Sequence, residues 1–229
     1  MTVDHLQHLR RDADAVLGVL ARAELTEPVA GCPGWSVRDL TLHLGSVHRW
    51  ATLIVSTGER QGQSAPDGAD DLAAWFADGA DDLLAALSTA DPSASCWSFT
   101  ADRTAGFWVR RQALETVVHR WDAEQAVGEP SGIDPALAAD GVAEVVELLA
   151  PRQIELGRTA APSVGLELRA LDGPGAWILG DGDPVATVTA PAELLLLLLW
   201  HRLDPGDPRL RWAGDRRSAE QVLRLALAP

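Results

Sequence analysis

The chain of 229 residues contains no lysine and no tyrosine, and only two cysteines. Without lysine there is no ε-amine for Schiff-base chemistry, and without tyrosine no phenolic acid. Cys32 and Cys96 cannot build a disulfide framework, and they fit a reducing compartment. Long apolar runs are also missing. The strongest, Ala192 to Trp200 with its six consecutive leucines, falls far below the roughly 18 residues a spanning helix needs. Pro191 before it and His201-Arg202 after it mark the ends of a short buried helix. The first residues lack the apolar core of a signal peptide, so the expectation is a cytoplasmic protein. Positive charge is scarce: 19 arginines face 33 acidic residues, a net charge of −14. That field argues against a nucleic-acid partner and favours solubility. Arginine as the only strong base, with abundant Ala, Leu, Gly and Asp, fits a GC-rich bacterial coding sequence.

What is present is mostly helical pattern. Leu6, Leu9, Ala13, Val16, Leu17 and Leu20 form a helical stripe over residues 3–23. After a Pro/Gly loop, Ser36 and Asp39 make a capping box for a helix reaching about Thr57. Residues 58–68, rich in Gly, Ser, Pro and Asp, read as a flexible insert. Further helices are expected over 69–89, over 103–127 with a stop at Gly128-Glu129-Pro130, and over 135–150 before Pro151. Past residue 160 the period changes. Val164–Leu171, Ala176–Leu179 and Val185–Thr189 alternate as short strands. Helices at about 191–203 and 218–227 follow, the latter with Ser218 and Gln221 as a capping box. The fold class is therefore α+β: an antiparallel helical bundle over 1–155 and a small α+β domain over 156–229.

Chemistry is concentrated at three residues. Glu115 and His119 stand one turn apart on one helical face, and His43 shares a stripe with Leu40, Leu44 and Val47 that points into the bundle. An acid four residues before a histidine should occur roughly once by chance in this composition. It occurs three times: Asp4/His8, Asp39/His43 and Glu115/His119. Asp39 has a capping role and His8 lies in a first helix free to fray. A Glu and a His mid-helix can be an ordinary ion pair, and an inward His can be a core residue with one hydrogen bond. Two helices each offering inward ligands are also how bundle metal sites are built. His48, rotated about 140° from His43, is expected at a margin or exposed. Asp122 is read as either a residue orienting His119 or, preferentially, a surface partner of Arg103, Arg110 or Arg120. Cys32 is read as shaping a turn, and Trp35, Trp108 and Trp121 as packing.

The segments Cys32-Pro-Gly-Trp-Ser-Val-Arg-Asp-Leu-Thr-Leu-His43 and Glu115-x-x-x-His119-Arg-Trp-Asp122, with the Leu-rich helix ending Trp200-His-Arg202, resemble the mycothiol-dependent maleylpyruvate isomerase family. That family falls in the DinB-like group of metal-binding helical bundles and is largely actinobacterial. The resemblance covers nearly the whole chain. It implies a four-helix bundle followed by a smaller domain, and a divalent metal, usually zinc, on His43, Glu115 and His119. It implies mycothiol as co-substrate and a C-terminal arginine, Arg202 or Arg211, assisting catalysis.

The expected activity is that of a zinc-dependent enzyme activating a low-molecular-weight thiol for isomerisation or S-transfer on a small electrophile. The alternatives are a metal-dependent hydrolase and a non-catalytic binding or regulatory protein.

Overall fold

The computed structural model describes residues 3–63 and 71–229, so part of the expected insert over 58–68 lies outside the described residues. The chain divides into two compact units, Thr2–Ser131 and Gly132–Pro229.

The first unit is a bundle of α1 (His5–Leu20), α2 (Val37–Thr57), α3 (Leu72–Thr89) and α4 (Ala105–Ala126). Helix α2 begins where the capping box expects it. Ser36 accepts from the Asp39 amide and Asp39 accepts from the Ser36 amide, so two orphan donors are satisfied reciprocally. It ends at Gly58, whose φ of 72° gives the left-handed C-cap that glycine adopts without strain. Helix α2 packs against α3 and α4, and α1 against the same two helices. One apolar cluster joins Ala13, Val16, Leu44, Phe76 and Ala80; another joins Val19, Val29, Val37, Leu40 and Ala123. Gly45 leaves the space that the Trp75 ring occupies, which lets α2 and α3 approach closely.

Helix α4 positions the site. It is buried on every side although it carries Arg111, Gln112, Glu115, His119, Arg120, Asp122 and Glu124. Buried polar groups cost free energy unless each finds a partner, so α4 commits the bundle to a polar interior. On the side facing α1, Arg120 meets Asp12 at 3.5 Å and Glu124 at 2.8 Å, and donates to the Ser131 carbonyl at 2.7 Å. At the other end Trp50, Trp97, Phe99, Phe107 and Trp108 pack ring on ring, and the Trp108 Nε1–H donates to the Trp97 carbonyl. Trp108 is thus a packing residue, as expected.

In the second unit, strands β1 (Gly165–Ala170), β2 (Ala176–Leu179), β3 (Pro184–Ala190) and β4 (Arg211–Gly214) form one sheet in the order β2-β1-β3-β4. Pairing is antiparallel for β1/β2 and β3/β4 and parallel for β1/β3. Leu166, Leu168 and Ala170 lie in register with Ala186, Val188 and Ala190, giving one buried face. The six leucines belong to α7 (Ala192–Leu199), buried all round and packed on α5 (Pro135–Glu144). That packing places α5 in the second unit, whereas the sequence pattern groups it with the bundle.

Three local expectations are corrected. The helix expected to stop before Pro151 continues through a π-helical turn, Val145–Leu149, into α6 (Ala150–Glu155). Proline has no N–H for the carbonyl four residues back and its ring presses on it. Here the Ala150 amide donates five residues back to Val145, and the widened turn accommodates the ring. Helix α8 (Arg216–Leu223) starts before Ser218: the N-cap is Asp215, which accepts from both the Ser218 amide and the Ser218 hydroxyl. Strand β4 went unforeseen because Arg-Trp-Ala-Gly shows no apolar alternation and is largely exposed. Among the described residues, no helix is long and apolar enough to cross a membrane.

Candidate metal centre

His43 projects from α2, and Glu115 and His119 from successive turns of α4; their ligand atoms all lie within 4.8 Å of one another. Glu115 Oε1 is 3.3 Å from His43 Nε2 and 3.3 Å from His119 Nε2. Ligands about 2.0–2.1 Å from a tetrahedral zinc stand roughly 3.3 Å apart, so both spacings fit an ion between them. The two imidazoles meet edge to face, centroids 5.2 Å apart. The group contains none of His5, His8 and His48.

The far sides of the ligands are tied down as well. The Arg111 guanidinium donates to Glu115 Oε2, the oxygen turned away from the histidines. His119 Nδ1 lies 3.2 Å from Asp122 Oδ2. The Cys32 thiol donates to that same oxygen at 3.6 Å, and Cys32, His119 and Asp122 form a second close group behind the imidazole. Trp35 covers the outer side, its ring 4.9 Å from that of His43. The three candidate ligands differ in exposure: His43 is 32 % exposed, Glu115 8 % and His119 6 %. The group therefore opens to solvent beside His43 and Trp35. Trp35 also borders a cleft of about 450 Å³ lined by Pro28, Val29, Pro33, Ser36 and Asp39.

Protonation sharpens the picture. Burial lowers the His43 pKa to about 4, helped by neighbouring His119 and Arg111, so His43 is neutral at neutral pH. Burial alone would lower His119 too, but the hydrogen bond and charge of Asp122, with Cys32 beside it, outweigh burial and raise its pKa. When His119 donates its Nδ1 proton to Asp122, its Nε2 lone pair faces the Glu115 carboxylate. Two lone pairs at 3.3 Å repel unless a cation, a proton or a metal ion, lies between them. The donor set of two imidazoles and one carboxylate is what a zinc ion with an open position takes.

Two expectations do not hold. Asp122 is not a surface residue; it is 1 % exposed and faces His119. His48 is not marginal; it is fully buried, with Nε2 2.9 Å from Thr116 Oγ1 and its ring 5.5 Å from Phe76. Helix α2 is flanked by both α3 and α4, so a rotation of about 140° still points inward. Cys32 does sit in a turn, accepting from the Trp35 amide, and contacts Asp122 besides. Arg111 was missed by sequence reasoning. The signal available was the spacing Arg111, Glu115, His119, Asp122, a polar stripe at steps of four, four and three.

The two expected arginines lie in the second unit. Arg202 follows α7, whose end is closed by His201 and Arg202 amides bonding the Leu198 and Leu197 carbonyls. Its side chain donates to the Trp200 carbonyl and lies over the Trp200 ring. Arg211 opens β4 opposite Thr189, with its side chain exposed.

A helical bundle carrying a two-histidine, one-carboxylate group, joined to a small α+β unit, defines a class of candidate metalloproteins. Within that class, residues 6–124 match the mycothiol maleylpyruvate isomerase N-terminal domain and residues 136–221 the C-terminal domain of the same family. The chain belongs to the mycothiol maleylpyruvate isomerase family. The crystal structure of a mycothiol-dependent maleylpyruvate isomerase superposes with a TM-score of 0.68 and 14 % identity, covering 92 % of both chains. A histidine-to-alanine variant of such an enzyme gives 0.70 at the same identity and coverage. At that identity the likeness concerns the fold. An uncharacterized protein of Mycobacterium tuberculosis (strain ATCC 25618 / H37Rv) is 26 % identical over 156 residues, 66 % of this chain and 82 % of that protein. Its counterpart in strain CDC 1551 / Oshkosh matches equally.

Proposed function

We propose that this protein is a divalent-metal enzyme, with zinc the fitting ion, that uses a low-molecular-weight thiol, mycothiol, on a small electrophilic substrate. The observation that carries the reading is the single carboxylate oxygen of Glu115, 3.3 Å from the Nε2 atoms of two histidines on different helices. His43, Glu115 and His119 would hold the ion, and when bound it would supply the Lewis acidity that converts a thiol to the nucleophilic thiolate near neutral pH.

The chain's own residues set the electrostatics. Glu115 and Asp122 bring negative charge and Arg111 positive charge. Added to a divalent ion these leave one positive charge, which a single anionic sulfur neutralises. Trp35 gives the open side a flat apolar wall, and the burial of Glu115 and His119 keeps bulk water from the inner side. Sulfur adding to a conjugated double bond leaves a rotatable single bond; expelling the same sulfur restores the double bond. The cycle needs no oxidant and consumes no thiol, which suits cis–trans isomerisation, while retention of the new C–S bond would give S-transfer. Arg202 and Arg211 are the candidates in the second unit for holding a substrate carboxylate through a bidentate contact.

The test is the metal content of purified protein together with thiol-dependent turnover of maleylpyruvate. About one zinc per chain is expected, lost in His119→Ala because two ligands rarely retain zinc. Turnover should require both metal and thiol. A fully loaded His119→Ala protein would refute the ligand assignment. Wild type that stays metal-free after zinc is supplied would point to a binding protein.

A further inference from the structure

We infer that Arg111 and Asp122 are positioning residues: Arg111 reserves one oxygen of Glu115 and Asp122 one nitrogen of His119, so that each ligand offers the centre a single predetermined atom. The inference rests on the metal reading above and deepens it.

A free carboxylate can hold an ion through one oxygen or two. Glu115 has both oxygens committed to different directions: Oε1 toward His43 and His119, Oε2 toward the Arg111 guanidinium. Arg111 is itself 6 % exposed, so the pair is neither screened nor diluted by solvent. A carboxylate so held contributes one donor atom and leaves a coordination position open for an incoming sulfur. If Oε2 were released, it could swing onto the ion and fill that position. His119 has the same ambiguity between two nitrogens. Asp122, 1 % exposed and contacted by the Cys32 thiol, engages Nδ1 and so selects the tautomer that presents Nε2 to Glu115 and His43. The two devices act on different ligands of one centre, and both come from α4. Arg111 stands one turn before Glu115, and Asp122 one turn after His119. One helix thus carries two of the proposed ligands and the groups that orient them.

The experiment is a Co²⁺ titration of metal-stripped protein, followed by visible absorption and by addition of N-acetylcysteine as the thiol probe. Wild type, Arg111→Ala, Arg111→Lys, Asp122→Ala and Asp122→Asn would be compared, with far-UV circular dichroism confirming the fold of each. Asp122→Ala should weaken Co²⁺ binding by roughly 10–100-fold, and Asp122→Asn, which still accepts from Nδ1, by less. Arg111→Ala should keep Co²⁺ but shift its visible spectrum and weaken N-acetylcysteine binding about tenfold or more. Arg111→Lys should recover part of that loss. Alanine variants with wild-type Co²⁺ affinity, spectrum and thiol response would overturn the inference and leave the metal reading standing. Wild type that takes up no Co²⁺ would overturn both. Should either alanine variant fail to fold, Arg111→Met and Asp122→Leu, which keep the bulk and lose the contact, decide: wild-type behaviour in both refutes the positioning roles.

Discussion

A buried imidazole held by a neutral hydroxyl makes a fold sensitive to acid. His48 is fully buried, bonded through Nε2 to Thr116 while Nδ1 has no hydrogen-bond partner among the described residues. Burial, reinforced by Arg49, His119 and His43 nearby, lowers its pKa to about 3. In the unfolded chain the same group titrates near 6.5. The unfolded state therefore binds a proton as the pH falls below 6.5 while the folded state refuses it until about 3. Stability tied to neutral His48 is present above pH 6.5 and is lost progressively as pH falls toward 3. The slope amounts to roughly 3 kcal/mol between pH 7 and pH 4. Urea midpoints measured at both pH values, with chelator present to remove metal effects, should fall less in His48→Gln than in wild type. Equal falls would show that His48 does not carry the acid sensitivity.

Helix ends offer the clearest tests among the elements. Asp215 caps α8 and holds both the amide and the hydroxyl of Ser218. Asp215→Ala should cost about 1 kcal/mol of stability, and Ser218→Ala clearly less, since it leaves the capping oxygen in place. Thermal or urea unfolding distinguishes this order from the reverse, which would make Ser218 the true cap. The same elements show what the sequence reveals. The capping box at Ser36 and Asp39 marks the start of α2 and the Gly-rich stretch after about Thr57 its end, because caps act through neighbours in sequence. Strand β4 escaped because its pairing with β3 is non-local and its own residues carry no alternation. The turn that carries the chain past Pro151 escaped for a related reason: a proline reads as a stop unless the surrounding packing supplies a wider turn. At the candidate site the three proposed ligand residues were legible from helical spacing, with the family resemblance deciding among several acid–histidine pairs. Arg111 was not, and Asp122 was legible as the less favoured of two readings, since an arginine or aspartate on a helix reads as a surface residue until the burial of α4 on all sides is known.

At the scale of the molecule, the division between Ser131 and Gly132 separates the chemistry cleanly. His43, Glu115, His119, Arg111, Asp122, Cys32 and Trp35 all fall within the first unit, and the two apolar clusters described above are built from its own residues. Even Ser131, at its edge, is tied inward through Glu124 and Arg120. A fragment ending at residue 131 should therefore fold and bind about one zinc with an affinity within about tenfold of the full chain, because every proposed ligand and every residue orienting it is retained. The fragment should lack thiol-dependent turnover if Arg202 or Arg211 holds the substrate, and single replacement of each arginine by alanine in the full chain then identifies which. Calorimetric titration with zinc and circular dichroism of the fragment check the first part, and maleylpyruvate turnover checks the second. A folded fragment that binds no zinc while the full chain does would mean that the second unit supplies a ligand, and the three-residue centre would be incomplete. Turnover by the fragment equal to that of the full chain would remove both arginines from the reaction and leave the bundle as the whole catalytic apparatus.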